Sequence, residues 1–192
     1  MVVVAGPPGG GKSTLLGRDY FSVRGIPYFN IDERCRDLNR GSSGNIPLPI
    51  RRYANQELRQ FCGDQFQKQQ TFAFETTLRA PFAIEQASLA QAAAFETELR
   101  FIAAPAPTHV DRVIARAAIG GHGASERTVR TMYQDSMRNL PIALRSFDHC
   151  YLYDSSSDDP VLLVEVEGQQ VVTYEGPIPF WMERALIQAL GE

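Results

Sequence analysis

Residues 6–13, Gly-Pro-Pro-Gly-Gly-Gly-Lys-Ser, satisfy the pattern GxxxxGK[ST]. Average residue usage gives this pattern in roughly 1 in 150 chains of this length, so its context decides its meaning. The context fits. A β-branched run at residues 2–5 reads as a buried strand, and the segment from Lys12 to about Phe21 reads as the helix that the loop opens. Such a loop binds phosphate. Its glycines let backbone N–H groups turn inward around phosphate oxygens, and the helix N-terminus adds positive potential. Gly6, Pro7, Pro8, Gly9, Gly10, Gly11 and Thr14 form the expected cradle. Lys12 is expected to reach the β- and γ-phosphates, and Ser13 to place its hydroxyl on Mg²⁺. Lys12 also stands out by composition: among 19 basic residues, only it and Lys68 are lysines. The loop therefore predicts a nucleoside triphosphate, ATP or GTP, as ligand.

Two acids sit where a parallel sheet would present them. Asp32 ends the second apolar run, at the strand edge where open α/β sheets place their ligand crevice. A carboxylate there could take the proton from a hydroxyl attacking the γ-phosphoryl group, with Asn30 shaping the same edge. It could equally start the next helix as a surface cap. Glu75 ends the third run, in Phe74-Glu75-Thr76-Thr77-Leu78-Arg79, and could support Mg²⁺ or bind a substrate hydroxyl. Thr76, Thr77 and Arg79 are candidate substrate contacts beside it; capping of a strand-to-helix turn is the plainer reading. Arg112, Arg116, Arg127 and Arg130 flank Gly120-Gly121-His122-Gly123. A glycine-hinged segment carrying arginines suits a lid that closes over a transferring phosphoryl group, although any single arginine there could be merely solvated. Arg51 and Arg52 follow a Pro-rich loop and could hold an anionic substrate.

The elements that must position these residues alternate. Strands are expected at 2–5, 26–31, 71–74, 98–103 and 150–153, and helices at 53–69, 81–95, 108–119 and 124–139, the last with Pro141 beyond its end. A hairpin at 161–166 and 170–174 and a helix at 179–190 close the chain. The alternation predicts an α/β three-layer sandwich with a mainly parallel five-stranded sheet and a C-terminal hairpin and helix, as a single domain over 1–192. The net charge of −3 argues against nucleic acid as partner. No apolar run approaches the ~20 residues of a membrane span, and no basic, apolar leader opens the sequence. Three scattered cysteines, Cys35, Cys62 and Cys150, suit a reducing compartment, so a cytoplasmic location is expected.

Taken together, GPPGGGKST, the Phe29-Asn30-Ile31-Asp32 strand end, FETTLR and RVIARAAIGGHGASERTVRTMYQDSMRNLP resemble the zeta-toxin family of P-loop kinases, in particular its compact stand-alone bacterial members. The resemblance runs from about residue 2 to about residue 155. It implies a fold like that of adenylate and shikimate kinases, with a lid at about 112–130 and a substrate-side insertion at about 36–56. It further implies ATP- and Mg²⁺-dependent transfer to a sugar hydroxyl of a UDP-sugar such as UDP-N-acetylglucosamine, and an antitoxin as partner. Position by position, Lys12 and Ser13 match the phosphate loop, Asp32 the catalytic base, Glu75 and Thr77 the Glu-x-Thr substrate motif, and Arg116 a lid arginine. The chain departs from the long toxins after Gly120, where the role of their second arginine falls to His122, Arg127 or Arg130. Ala124-Ser125 also stands where compact members have Val-Pro. Two alternatives stay open: a kinase of another metabolite, nucleoside or antibiotic, and a nucleotide-dependent switch protein with slow hydrolysis. The strand end Tyr153-Asp154-Ser155 is placed near the nucleobase.

Overall fold

The computed structural model describes residues 1–42, 44, 46–118, 124–157 and 159–191, with Tyr174 described by its backbone alone. Strand β1 (Val2–Ala5) lies inside a single seven-stranded sheet of order β2-β3-β1-β4-β5-β6-β7. β2 (Tyr28–Asn30), β3 (Ala73–Thr76), β4 (Glu98–Ala103) and β5 (His149–Asp154) run parallel to it. The hairpin of β6 (Val161–Glu167) and β7 (Gln170–Tyr174) joins β5 antiparallel. The five expected parallel strands are thus present, and the hairpin extends the same sheet. The chain leaves β1 between β3 on one side and β4 on the other, so its end is a topological switch point, where parallel sheets open a crevice. Register sets what meets there: Val4 pairs with Glu75, and Asn30 pairs with the same Glu75 from the other side.

Alternation explains the sheet faces. Val3, Phe74, Leu99, Phe101, Leu152 and Val164 are all fully buried on one face. They pack against α4 (Leu48–Gln67), α5 (Phe82–Ala92), α7 (Glu126–Ser146) and α8 (Phe180–Leu190) through residues such as Leu58, Ala87, Leu144 and Met182. Ala83, Ala87 and Ala90 form the fully buried stripe of α5. The opposite face packs Val4, Ala73 and Ile102 against Leu16 and Phe21 of α1 (Lys12–Leu16) and α2 (Arg18–Ser22). Cys35, Cys62 and Cys150 are buried and unbridged. No helix among the described residues is long and apolar enough to cross a membrane.

Four local expectations are corrected. The first helix is split at Gly17, whose extended backbone passes so close that a Cβ there would lie 2.4 Å from Ser13 O. An unexpected helix, α3 (Ile31–Leu38), starts at the end of β2, capped by Asn30, and takes Asp32 out of the strand. α4 begins at Leu48, five residues early, because Pro49 suits a first helical turn. α7 runs through Pro141 to Ser146, since burial of Leu140, Ala143 and Leu144 outweighs the lost backbone bond.

Where the sequence places a lid, α6 (Ala106–Ala118) and the start of α7 share a small cluster of Val110, Val113 and Val129 apart from the main core. His122 and the glycines beside it lie outside the described residues. So do Ser43 and Asn45 of the 36–56 segment.

Gly6, the first loop residue, has φ 143°, and a Cβ there would sit 2.1 Å from Ile102 O. Backbone meets backbone, so no side chain can yield. Gly6→Ala is expected to cost about 3 kcal/mol, lowering Tm by roughly 6–12 °C in a thermal melt. An unchanged melt would show that the loop tolerates displacement from β4.

Candidate active site

The phosphate loop leaves β1 at Gly6. Gly9 and Gly11 hold φ of 80° and 82°, which residues bearing a Cβ rarely adopt, and Gly10 N–H donates to Pro7 O at 3.2 Å. α1 starts directly at Lys12, which turns its side chain back under the loop: Nζ donates to Gly6 O at 2.9 Å and Pro7 O at 3.2 Å and stands 3.6 Å from Glu75.

Glu75 is the centre of the site's polar network and is 8% exposed. Its Oε2 accepts from Ser13 Oγ at 3.2 Å, Tyr28 OH at 2.9 Å and Asn30 Nδ2 at 3.0 Å. Burial and the adjacent carboxylate push the Tyr28 hydroxyl far above its ordinary range, so it remains a donor. Asn30 does two things at once, since its Oδ1 also accepts from the backbone of Asp32 and Glu33 and caps α3. Asn30 thereby holds the backbone that carries Asp32.

A cleft of about 860 Å³ opens over these residues. It holds Pro8–Thr14 of the loop, Asn30, Asp32, Glu75, Thr76, Thr77 and Arg79, with Arg116 from α6 above. Cys35, Arg36, Arg51 and Asn55 form its far wall, so the 36–56 segment faces this space. A bidentate pair, Arg34 with Glu57 at 2.7 and 2.8 Å, ties α3 to α4 and fixes that wall. Burial pushes the Cys35 thiol up against the opposing charge of Arg51, which leaves it a protonated wall residue. Three acids line the cleft. Glu33 is engaged by Arg18 at 2.6 Å and Glu75 by its three donors; among the described residues, nothing hydrogen-bonds or pairs with the side chain of Asp32.

The Glu75-Thr76-Thr77-Leu78-Arg79 turn is held under strain. Leu78 is fully buried with φ 56°, an unusual conformation for a bulky residue. Its N–H donates to Thr76 Oγ1 at 3.1 Å, its carbonyl accepts from Asn139 Nδ2 at 2.8 Å, and Ser136 Oγ donates to Thr77 O.

A second cleft of about 250 Å³ lies on the far side of the loop, lined by Gly9, Gly11, Thr14, Arg112, Arg116, Ser155, Ser157 and Pro160. Arg112 donates to Ser157 O at 3.1 Å. Ser155 is 1% exposed and its hydroxyl finds no partner among the described residues. Arg127 and Arg130 line neither cleft; Arg130 is taken up by Glu126 at 2.8 Å along the surface of α7.

Two site residues escaped the sequence reading. Tyr28 looked like strand filling. His109, fully buried on α6 against the loop, gave no pattern; its only hint was a histidine just after the Pro-rich end of β4.

No protein-family model matches the sequence, and no curated protein gives a match. Solved structures do match. A chain of the AvrRxo1-ORF1:AvrRxo1-ORF2 complex with sulphate ions superposes with a TM-score of 0.67 at 16% identity, over 90% of this chain and 60% of that one. The complex with ATP gives 0.66 at 16% identity, over 90% and 59%. A structure of the PezAT chromosomal toxin–antitoxin system of Streptococcus pneumoniae gives 0.65 at 15% identity, over 97% and 82%. The chain therefore spans about 60% of the AvrRxo1 chain it matches. Strand order, phosphate loop and superpositions agree: this chain has the P-loop kinase fold that its sequence resemblance implied.

Proposed function

We propose that this chain is a small-molecule kinase of the zeta-toxin type, moving the γ-phosphoryl group of ATP to an alcohol hydroxyl. One observation carries the reading: a single cleft is lined both by the phosphate loop and by Asp32, whose carboxylate is unengaged among the described residues. The nucleoside enters the smaller cleft, where the Ser155 hydroxyl offers a hydrogen bond, and the triphosphate follows the loop amides. Lys12 moves from the Gly6 and Pro7 carbonyls to the β- and γ-phosphate oxygens. Asp32 takes the acceptor proton as the hydroxyl oxygen attacks the γ-phosphorus, the bond to the β,γ-bridging oxygen breaks and ADP leaves, and Arg116 neutralises the charge on the equatorial oxygens. The donor set fits Mg²⁺, which keeps most of its waters and takes few protein oxygens: Ser13 Oγ would bind it and Glu75 would hold its shell, supplying positive charge across the phosphates.

The acceptor proposed is a UDP-sugar of the UDP-N-acetylglucosamine type, supported by the family resemblance and by Arg36, Arg51 and Arg79 in the cleft wall, which suit a diphosphate. ATP as donor is supported by the similar fold solved with ATP, and an antitoxin partner by the similar fold from a toxin–antitoxin system.

The test is ATP consumption followed by ³¹P NMR of products against UDP-sugars, nucleosides and simple sugars. One UDP-sugar is expected to yield a new sugar phosphate, and Lys12→Ala to slow its formation by about 10²–10³. Slow hydrolysis with no acceptor phosphorylated would move the reading to a nucleotide-dependent switch.

A further inference from the structure

The geometry points to His109 as the residue that positions the phosphate loop and sets the lid helix α6 in register upon it. His109 is 0% exposed, in the first turn of α6. Its Nε2 accepts from Ala104 N–H at 3.0 Å, at the end of β4, while Nδ1 stands 2.8 Å from Pro8 O in the loop. An amide can only donate and a carbonyl only accept. One form of imidazole satisfies both, the neutral ring with its proton on Nδ1. Burial, aided by the charges of Lys12 and Arg112, pushes the ring down to about 4, which keeps that form.

The ring is also a spacer. A Cβ on Gly10 would meet its Cε1 at 3.2 Å, and Tyr133 of α7 packs on it with centroids 5.3 Å apart. Residues 109, 112, 113 and 116 share one face of α6. That face runs so near the loop that a Cβ on Gly9 would lie 3.0 Å from His109 O and 3.2 Å from Val113 Cγ2. With the helix pinned at Pro8 and flush against Gly9, neither its rotation nor its rise is free. Arg112 then stands one turn along and Arg116 two turns, both on the clefts. An apolar residue could fill this space; only a side chain with a donor and an acceptor at fixed separation can join β4, the loop and the helix at one point.

The effect on ATP rests on the kinase reading; the effect on the loop does not, and the two are measured separately. His109→Asn can still donate to Pro8 O but cannot reach Ala104. His109→Gln can still accept from Ala104 N–H but gives up Pro8. In the nucleotide-free protein, hydrogen exchange at the Gly10 amide is expected to quicken about tenfold in His109→Gln and to stay near wild type in His109→Asn. ATP titration is expected to follow the same order, with Kd raised about tenfold in His109→Gln alone. Equal exchange in all three proteins would overturn the proposal, as would parallel loss of melting temperature, exchange protection and affinity in both variants. If the wild type binds no ATP while exchange behaves as expected, the kinase reading fails and the positioning role stands. ¹⁵N spectra of histidine-labelled wild type give a readout that needs no variant: His109 should carry its proton on Nδ1 down to pH 5, and a ring protonated on Nε2 would refute the assignment.

Discussion

Asp32→Asn is expected to bind ATP as tightly as the wild type and to transfer its γ-phosphoryl group about 10³-fold more slowly. Three acids line the one cleft, and two of them are already engaged. A base must reach the acceptor hydroxyl and must be free to take a proton. Glu75 accepts three hydrogen bonds from groups that cannot easily turn away, and Glu33 is clamped by Arg18 on its outer side. Asp32 is exposed to the cleft, and its backbone rather than its side chain is what Asn30 holds. Asparagine keeps shape and cap, so the fold and the phosphate loop, which Asp32 does not touch, should be unchanged. Equilibrium binding of ATP and single-turnover transfer to whichever acceptor the product screen identifies separate the two effects. Turnover near wild type would remove Asp32 from the mechanism. Weakened ATP binding would instead place it on the donor side of the cleft.

Glu75→Ala is expected to lower stability by about 3 kcal/mol, or roughly 6–12 °C in Tm, and transfer by about 10²-fold or more. Removing this carboxylate does not delete one interaction. It strands Tyr28 OH, Asn30 Nδ2 and Ser13 Oγ together, and leaves Lys12 with two carbonyls and no counter-charge at 3.6 Å. A buried donor without an acceptor forfeits its desolvation cost in full, and two of these donors are well shielded. Glu75→Gln should fall between: its oxygen still accepts, while its amide N–H groups face other donors. Calorimetry orders the three proteins. A Glu75→Ala melt within the error of wild type would show that water replaces the carboxylate freely and that the network is not a structural one.

The parts of the site that sequence revealed are those where residue type is dictated locally. Gly9 and Gly11 occupy backbone angles that side chains avoid, so the loop is visible as glycine spacing. β4 matches its expected bounds because Leu99 and Phe101 alternate with Glu98 and Arg100, and the sheet buries one set and not the other. What escaped depends on distant partners. His109 looks ordinary until Pro8, about a hundred residues earlier, is beside it. Asn30 reads as the end of a strand, and its cap becomes plain only once Ile31 turns into α3. Pro141 signals a helix stop, and the apolar residues around it override that signal only because the sheet is there to cover them. Arginines at 112, 116, 127 and 130 look alike in sequence, yet helix phase brings two to the clefts and sends the other two to the surface of α7.

Helix α7 braces two separate parts of the cleft. Tyr133 rests on His109 behind the phosphate loop, and Ser136 and Asn139 grip the strained turn at Leu78. The six residue steps from Tyr133 to Asn139 span about 9 Å of helix rise. The helix therefore works as a gauge block between the phosphate loop and the turn after β3. A single residue inserted in this stretch would swing its far end by about 100° and part the two grips. On the kinase reading, substitutions on the cleft wall are expected to disturb this chain less than any change in the length of this one segment.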